Sequence, residues 1–127
     1  MRNTKGKIPH LPFLLLKEKI LKKNYSLSLV FVDKKTATEL YREYKQKDEP
    51  LDILSFPLEK NSGEIIMNLA QIRTKAKLYD RTYIDHLAFM TIHGMLHLSG
   101  HTHYNDTDAS LMEKAEEKFY AFYKTLI

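Results

Sequence analysis

A chain of 127 residues that is 43% hydrophobic has room for one domain, expected to span residues 1–127, and can bury its own core. It has no cysteine, which excludes a disulfide framework, a thiolate zinc finger, an iron–sulfur cluster and a cysteine nucleophile, so any metal must be held by nitrogen or oxygen. The formal charge of +4 is uneven: residues 1–47 hold 12 Lys/Arg against 4 Asp/Glu, a +8 segment, and residues 48–127 hold 8 against 12, a −4 segment. A basic segment suits a polyanionic partner, unless Lys17, Lys22, Lys23, Lys34 and Lys35 are simply a solvated face.

At the start of the chain, Arg2, Lys5 and Lys7 ahead of the apolar residues 11–16 imitate a secretory signal. Lys17, Glu18 and Lys19 cut that stretch short, no small-residue cleavage site follows, and no run approaches the roughly 18 apolar residues of a membrane span. A cytoplasmic protein with no membrane partner is expected. Phe13, Leu16 and Ile20 recur at helical spacing, with Asn24 as the stop. Leu27, Leu29 and Phe31 then alternate with Ser28, Val30 and Val32, which reads as a strand.

Thr36 followed by Glu39 forms a capping box, opening a helix with Leu40 and Tyr44 on one face that Asp48, Glu49 and Pro50 break. Residues 52–58 and 64–67, joined by a turn at Lys60-Asn61-Ser62-Gly63, read as a hairpin. Helices follow over about 69–78, 83–99 and 108–123, the last with Leu111, Ala115, Phe119 and Phe122 as its core stripe. The expected fold class is α+β: a small mixed β-sheet packed against about five helices. The helix over 83–99 is apolar nearly all round (Ile84, Leu87, Phe89, Met90, Ile92, Met95, Leu96, Leu98), which marks a central buried helix.

Histidines inside that helix need a reason. His93, His97, His101 and His103 fall within eleven consecutive residues. At i and i+4 on a helix, His93 and His97 can offer two imidazole nitrogens to one metal ion. Gly100 is suited to end the helix in the left-handed conformation and turn the chain back, bringing round a third ligand. Of His101 and His103, the spacing H-G-x-x-H-x-x-G-x-x-H, the metzincin ligand pattern with one change, favours His103.

The change is Gly94, which stands where zinc proteases carry their general-base glutamate. A glycine there costs roughly 1 kcal/mol of helix stability relative to Ala, so a substrate or a neighbouring backbone is expected to come close. Three nitrogens leave a coordination position open, as in catalytic zinc sites, and zinc lowers the pKa of bound water to about 7, so hydrolysis of a polar bond is implied. His86, two turns earlier on the same face, reads as a supporting or core histidine, and His10 and His101 as surface residues. Met112 resembles the methionine beneath the metal of metzincins, but in an amphipathic helix it reads as core packing.

The run His93-Gly94-x-Leu96-His97-Leu98-x-Gly100-x-x-His103 resembles the signature of the YbeY family of bacterial metallo-endoribonucleases. Asp48-x-Pro50-x-Asp52-Ile53-Leu54-Ser55-Phe56-Pro57 resembles that family's second motif and Gly63-Glu64-Ile65 its third, so most of the chain from about Leu27 onward is covered. The resemblance implies a zinc-dependent, single-strand-specific endoribonuclease acting in ribosomal RNA maturation, notably at the 16S 3′ end, and in ribosome quality control. It carries the metal ligands to His93, His97 and His103, with one Zn2+ per chain. The implied partners are single-stranded and ribosomal RNA and the small ribosomal subunit, with no DNA.

Departures from the family pattern are Tyr41 for an asparagine, Leu51 for a threonine, Thr102 for the aspartate before the last ligand, and Lys45 for an arginine beside Tyr44. Lys45, which keeps the positive charge without the bidentate fork, is the catalytic candidate, offsetting negative charge as it develops. The rival readings are a metalloprotease, opposed by Gly94, and a non-catalytic, metal-stabilised RNA-binding assembly factor.

Overall fold

The computed structural model describes residues 2–3, 11–45 and 52–127, and the side chains of 11–43 and 52–127. Its elements are β1 (Arg2–Asn3), α1 (Phe13–Leu21), β2 (Ser26–Val32), α2 (Lys34–Lys45), β3 (Ile53–Glu59), β4 (Ser62–Asn68), α3 (Leu69–Leu78), α4 (Tyr83–Leu98) and α5 (Asp106–Thr125). The sheet runs in the order β1-β2-β4-β3. β2 is parallel to both β1 and β4, and β3 and β4 form the expected antiparallel hairpin. The α+β class, with a small mixed sheet and five helices, is borne out.

Both faces of the sheet are covered, which is why β2 carries apolar residues at successive positions. Leu29, Phe31, Ile65 and Met67 join one core with α1, α4 and α5, while Val32, Leu54 and Ile66 join a second with Ala37, and Leu40 and Tyr41 pack against it. α4 is the central helix, packed on α1, α3, α5, β3 and β4. Its Leu87, Ala88, Ile92, Met95 and Leu96 are at most 1% exposed, and each of the larger ones contributes about 1.5–3 kcal/mol of hydrophobic stabilisation. The Thr82 side chain caps its first turn by accepting from the Asp85 N–H.

Local details depart from the sequence reading. α1 ends at Leu21, not near Asn24, with Lys22 in the left-handed region at φ 82°; Lys17 Nζ donates to the carbonyls of Lys22 and Lys23 in that turn. The cap of α2 is Asp33, which accepts from the Thr36 N–H at 2.8 Å, so Thr36 lies inside the helix. The helix-breaking Asp48, Glu49 and Pro50, as well as His10, lie outside the described residues. α5 begins at Asp106 behind an Asn105 cap, and Leu111 is 54% exposed. Ala115, Phe119 and Phe122 pack against the core as expected, but Met112 takes the place of Leu111, and Tyr120 and Tyr123 join them, with Glu116 half-buried on the same side. Burial and the neighbouring Asp85 push the Tyr123 phenol up to about 12.

Among the described residues, the exposed lysines on either side of β2 do not adjoin. Lys22 and Lys23 precede β2, Lys34 and Lys35 follow it, and a seven-residue strand of roughly 20 Å separates the two exposed pairs. No helix among the described residues is long and apolar enough to cross a membrane.

Candidate metal centre

The centre is built where α4 ends. Gly100, at φ 113°, reverses the chain: its N–H donates to the His97 carbonyl and the His101 N–H donates to the Leu96 carbonyl, the paired bonds of a Schellman turn. Thr102 Oγ1 donates to Asp108 Oδ2 at 2.9 Å, tying the short loop to the first turn of α5. His103 is thereby held beside the α4 face that carries His93 and His97, and the three offer ligand atoms all within 4.8 Å of one another.

The hydrogen-bond partners decide the tautomers. His93 Nδ1 lies 2.8 Å from Glu116 Oε2, and His97 Nδ1 lies 3.0 Å from the His101 carbonyl oxygen. Both partners accept, so each Nδ1 donates and each Nε2 presents a lone pair. Those two Nε2 atoms face each other at 3.1 Å. Two lone pairs this close repel unless a cation lies between them, and two nitrogens bound to one tetrahedral zinc at 2.0–2.1 Å would stand about 3.3 Å apart. Burial, and then the neighbouring His93, hold the His97 pKa below the ordinary histidine value, which favours the neutral ring a metal requires. The donor set, imidazole without thiolate, suits zinc and ions of similar preference.

A cleft of about 460 Å³ opens over the three histidines, lined also by Ile53, Leu54, Ser55, Thr102 and Tyr104. Its far wall is β3, held against α4 at Gly94. Ser55 Oγ donates to the Gly94 carbonyl at 3.2 Å, and a Cβ at Gly94 would lie 2.9 Å from Ile53 Cδ1 and 3.1 Å from Ile65 Cδ1. The glycine therefore admits side chains of the sheet, not a substrate or a neighbouring backbone. The position where a zinc protease carries its glutamate faces β3 and β4 and is closed.

Comparison with known proteins agrees with this geometry. The sequence profile of the family described as Endoribonuclease YbeY matches residues 4–124. The chain belongs to that family. It is similar to Endoribonuclease YbeY of Carboxydothermus hydrogenoformans, 39% identical over 97 residues, which covers 72% of this chain and 68% of that protein. The YbeY of Halalkalibacterium halodurans is 31% identical over 122 residues, covering 84% and 77%. The solution structure of TM1509 from Thermotoga maritima superposes with a TM-score of 0.65 at 25% identity, covering 94% of this chain and 85% of that one.

The family and enzyme class implied by the motifs, YbeY and endoribonuclease, are thus borne out. His93, His97 and His103 are brought together, positioned to bind a metal ion. Within the YbeY-like second motif, Ile53 and Ser55 reach the cleft, while Asp52 pairs with Lys75 at 2.8 Å. The motif positions Asp48, Pro50 and Leu51 and the Lys45 side chain lie outside the described residues. His86 is a core histidine outside the three-histidine cluster: it is 2% exposed, stacked on Tyr79, with Nδ1 3.2 Å from an Arg81 guanidinium nitrogen. Met112 is in the core as expected, yet its Sδ also touches His103 Nε2 at 3.1 Å.

Sequence reasoning missed Glu116, whose side chain is only 14% exposed. The available signal was a carboxylate standing within the apolar stripe of α5, where an unpaired charge would be costly.

Proposed function

We propose that this protein is a zinc-dependent, single-strand-specific endoribonuclease that matures ribosomal RNA at the 16S 3′ end and acts in ribosome quality control on the small subunit in the cytoplasm. The observation that carries the reading is the pair of Nε2 lone pairs facing each other at 3.1 Å beneath an open cleft, in a chain of the endoribonuclease YbeY family. In this reading His93, His97 and His103 hold one zinc per chain. When bound, zinc polarises a phosphoryl oxygen or supplies hydroxide near neutral pH.

The protein's part is orientation and shape. Glu116 and the His101 carbonyl fix two rings, Met112 packs against the third, and Ile53 and Ser55 close one side of the cleft. Lys45, the last residue of α2, offsets negative charge developing on the phosphate. The test is cleavage of a defined single-stranded RNA, and of the same sequence in a duplex, by zinc-loaded protein and by a His97→Ala variant. Wild type should cut only the single strand and carry about one zinc, and His97→Ala should do neither. Cutting by His97→Ala at the wild-type rate, or a wild type that takes up no zinc, would overturn the reading.

A further inference from the structure

Resting on the RNA reading above, we propose that Tyr104 is a stacking platform for a base of single-stranded RNA next to the phosphate at the metal cleft. Tyr104 is 89% exposed, the highest value among the large apolar and aromatic side chains described, and it lines the cleft that holds the three histidines. The other strongly exposed tyrosine, Tyr79 at 59%, is already occupied, stacked on His86 with the Arg81 guanidinium 5.6 Å from its ring centre. Among the described residues Tyr104 has no hydrogen bond, ring contact or cation partner.

Its root is nevertheless fixed. His103 immediately before it touches Met112, and Asn105 immediately after it caps α5 by accepting from the Asp108 N–H at 2.8 Å. A free aromatic face is thus held in place beside the metal ligands, an arrangement that lowers the ordering cost of stacking.

The composition of the cleft says what that face would grip. Ile53, Leu54, Ser55, Thr102, Tyr104 and the histidines include no Lys, Arg, Asp or Glu, and the exposed lysine pairs flank β2 and do not line it. A nucleotide at the metal therefore gains little from charge in the described wall. It gains from the flat face of Tyr104 and from apolar Ile53, and every base has a flat face to offer. A duplex keeps its bases stacked on each other and cannot use such a platform, so the same ring discriminates for single strands without selecting a sequence.

The experiment uses a fluorescent ten-nucleotide RNA of mixed sequence with the full-length protein. It compares KM and kcat of the zinc-loaded forms, and anisotropy binding to the zinc-free forms, for wild type, Tyr104→Ala, Tyr104→Phe and Tyr104→Trp. Stacking predicts a rise in Kd and KM of about ten-fold for Tyr104→Ala, at low and high salt alike, with kcat and zinc content near wild type. Tyr104→Phe should match wild type and Tyr104→Trp should bind as tightly or more so.

An unchanged Tyr104→Ala would overturn the proposal while leaving the nuclease reading intact. So would a Tyr104→Phe as impaired as the alanine variant, which would assign the effect to the hydroxyl. If Tyr104→Ala also loses zinc, Tyr104→Trp decides: binding weaker than wild type excludes stacking. A wild type that neither binds nor cuts RNA brings down both readings.

Discussion

His93 on α4 and Glu116 on α5 meet at 2.8 Å, and this contact fixes which nitrogen of the histidine is free. A carboxylate that accepts from Nδ1 leaves Nε2 unprotonated and aimed at His97, and it holds the ring in that orientation. Glu116→Gln and Glu116→Ala should therefore weaken zinc affinity by about 10–100-fold without changing the far-ultraviolet circular dichroism. Competition against a chromophoric chelator measures this. Affinities equal to wild type would mean that the loop and Met112 suffice to orient the site.

Gly100 stands in open space, with nothing within 4 Å of a Cβ added there, yet its φ of 113° is one that other residues rarely adopt. Gly100→Ala should cost about 1–2 kcal/mol through backbone strain alone, relieved by loosening the turn that carries His103. The expected signature is a lower zinc affinity together with a lower melting temperature in the zinc-free protein. A variant that keeps both would show that the turn has another low-energy form.

Burial, and then the Arg81 guanidinium, hold the His86 pKa below the ordinary histidine value, with Asp52 opposing and Lys75 assisting. The unfolded chain therefore takes up this proton at higher pH than the folded one. The stabilisation is complete above about pH 6.5 and declines as pH falls through that value towards the folded pKa. Urea unfolding of zinc-free protein from pH 8 to pH 5 should show the His86→Phe variant losing less stability than wild type below about pH 6.5. Parallel curves would assign the acid sensitivity to other groups.

Gly94→Ala sets two effects against each other. Helix propensity favours alanine by about 1 kcal/mol, and crowding against Ile53, Ile65 and Ser55 opposes it by about 1–3 kcal/mol. Close contact with three side chains of β3 and β4, of which Ile65 is fully buried, makes crowding the larger effect, so thermal unfolding should show net destabilisation of about 1 kcal/mol. A stabilised variant would show that β3 yields easily.

For Lys45 the proposed role in charge stabilisation predicts that Lys45→Ala lowers RNA cleavage by a factor on the order of ten to a thousand, with zinc content and melting temperature near wild type. Lys45→Arg should retain or raise the rate, because the guanidinium grips phosphate with two donors. Steady-state cleavage of a single-stranded oligonucleotide decides between them.

The histidine cluster was legible because everything that assembles it is local: one i, i+4 pair, one glycine turn and a short loop. Glu116 and Ser55 were not, since they arrive from elements 23 and 39 residues away from their partners, and no spacing rule spans that distance. The cap of α2 was misplaced because Asp33 and Thr36 both satisfy local capping rules, and only the observed bond chooses between them. β1 went unseen because a two-residue strand has no periodicity; it exists through parallel pairing with Val30 and Phe31.

α5 is secured along its length to α4 and to the loop that leaves it. In its first half Asp108 and Met112 engage Thr102 and His103 of the loop that follows α4, and Glu116 engages His93 of α4 itself; near its finish Tyr123 and Lys124 engage Asp85, the latter at 2.8 Å. Little else of this helix is fully buried. Undocking of this helix and release of a bound ion would therefore be linked equilibria, each promoting the other. Ligand at a hundred times its dissociation constant would add about 2.7 kcal/mol to the stability of the docked state. Amide hydrogens along α5 would then serve as reporters of occupancy, exchanging slowly in the loaded protein and readily once a chelator has stripped it.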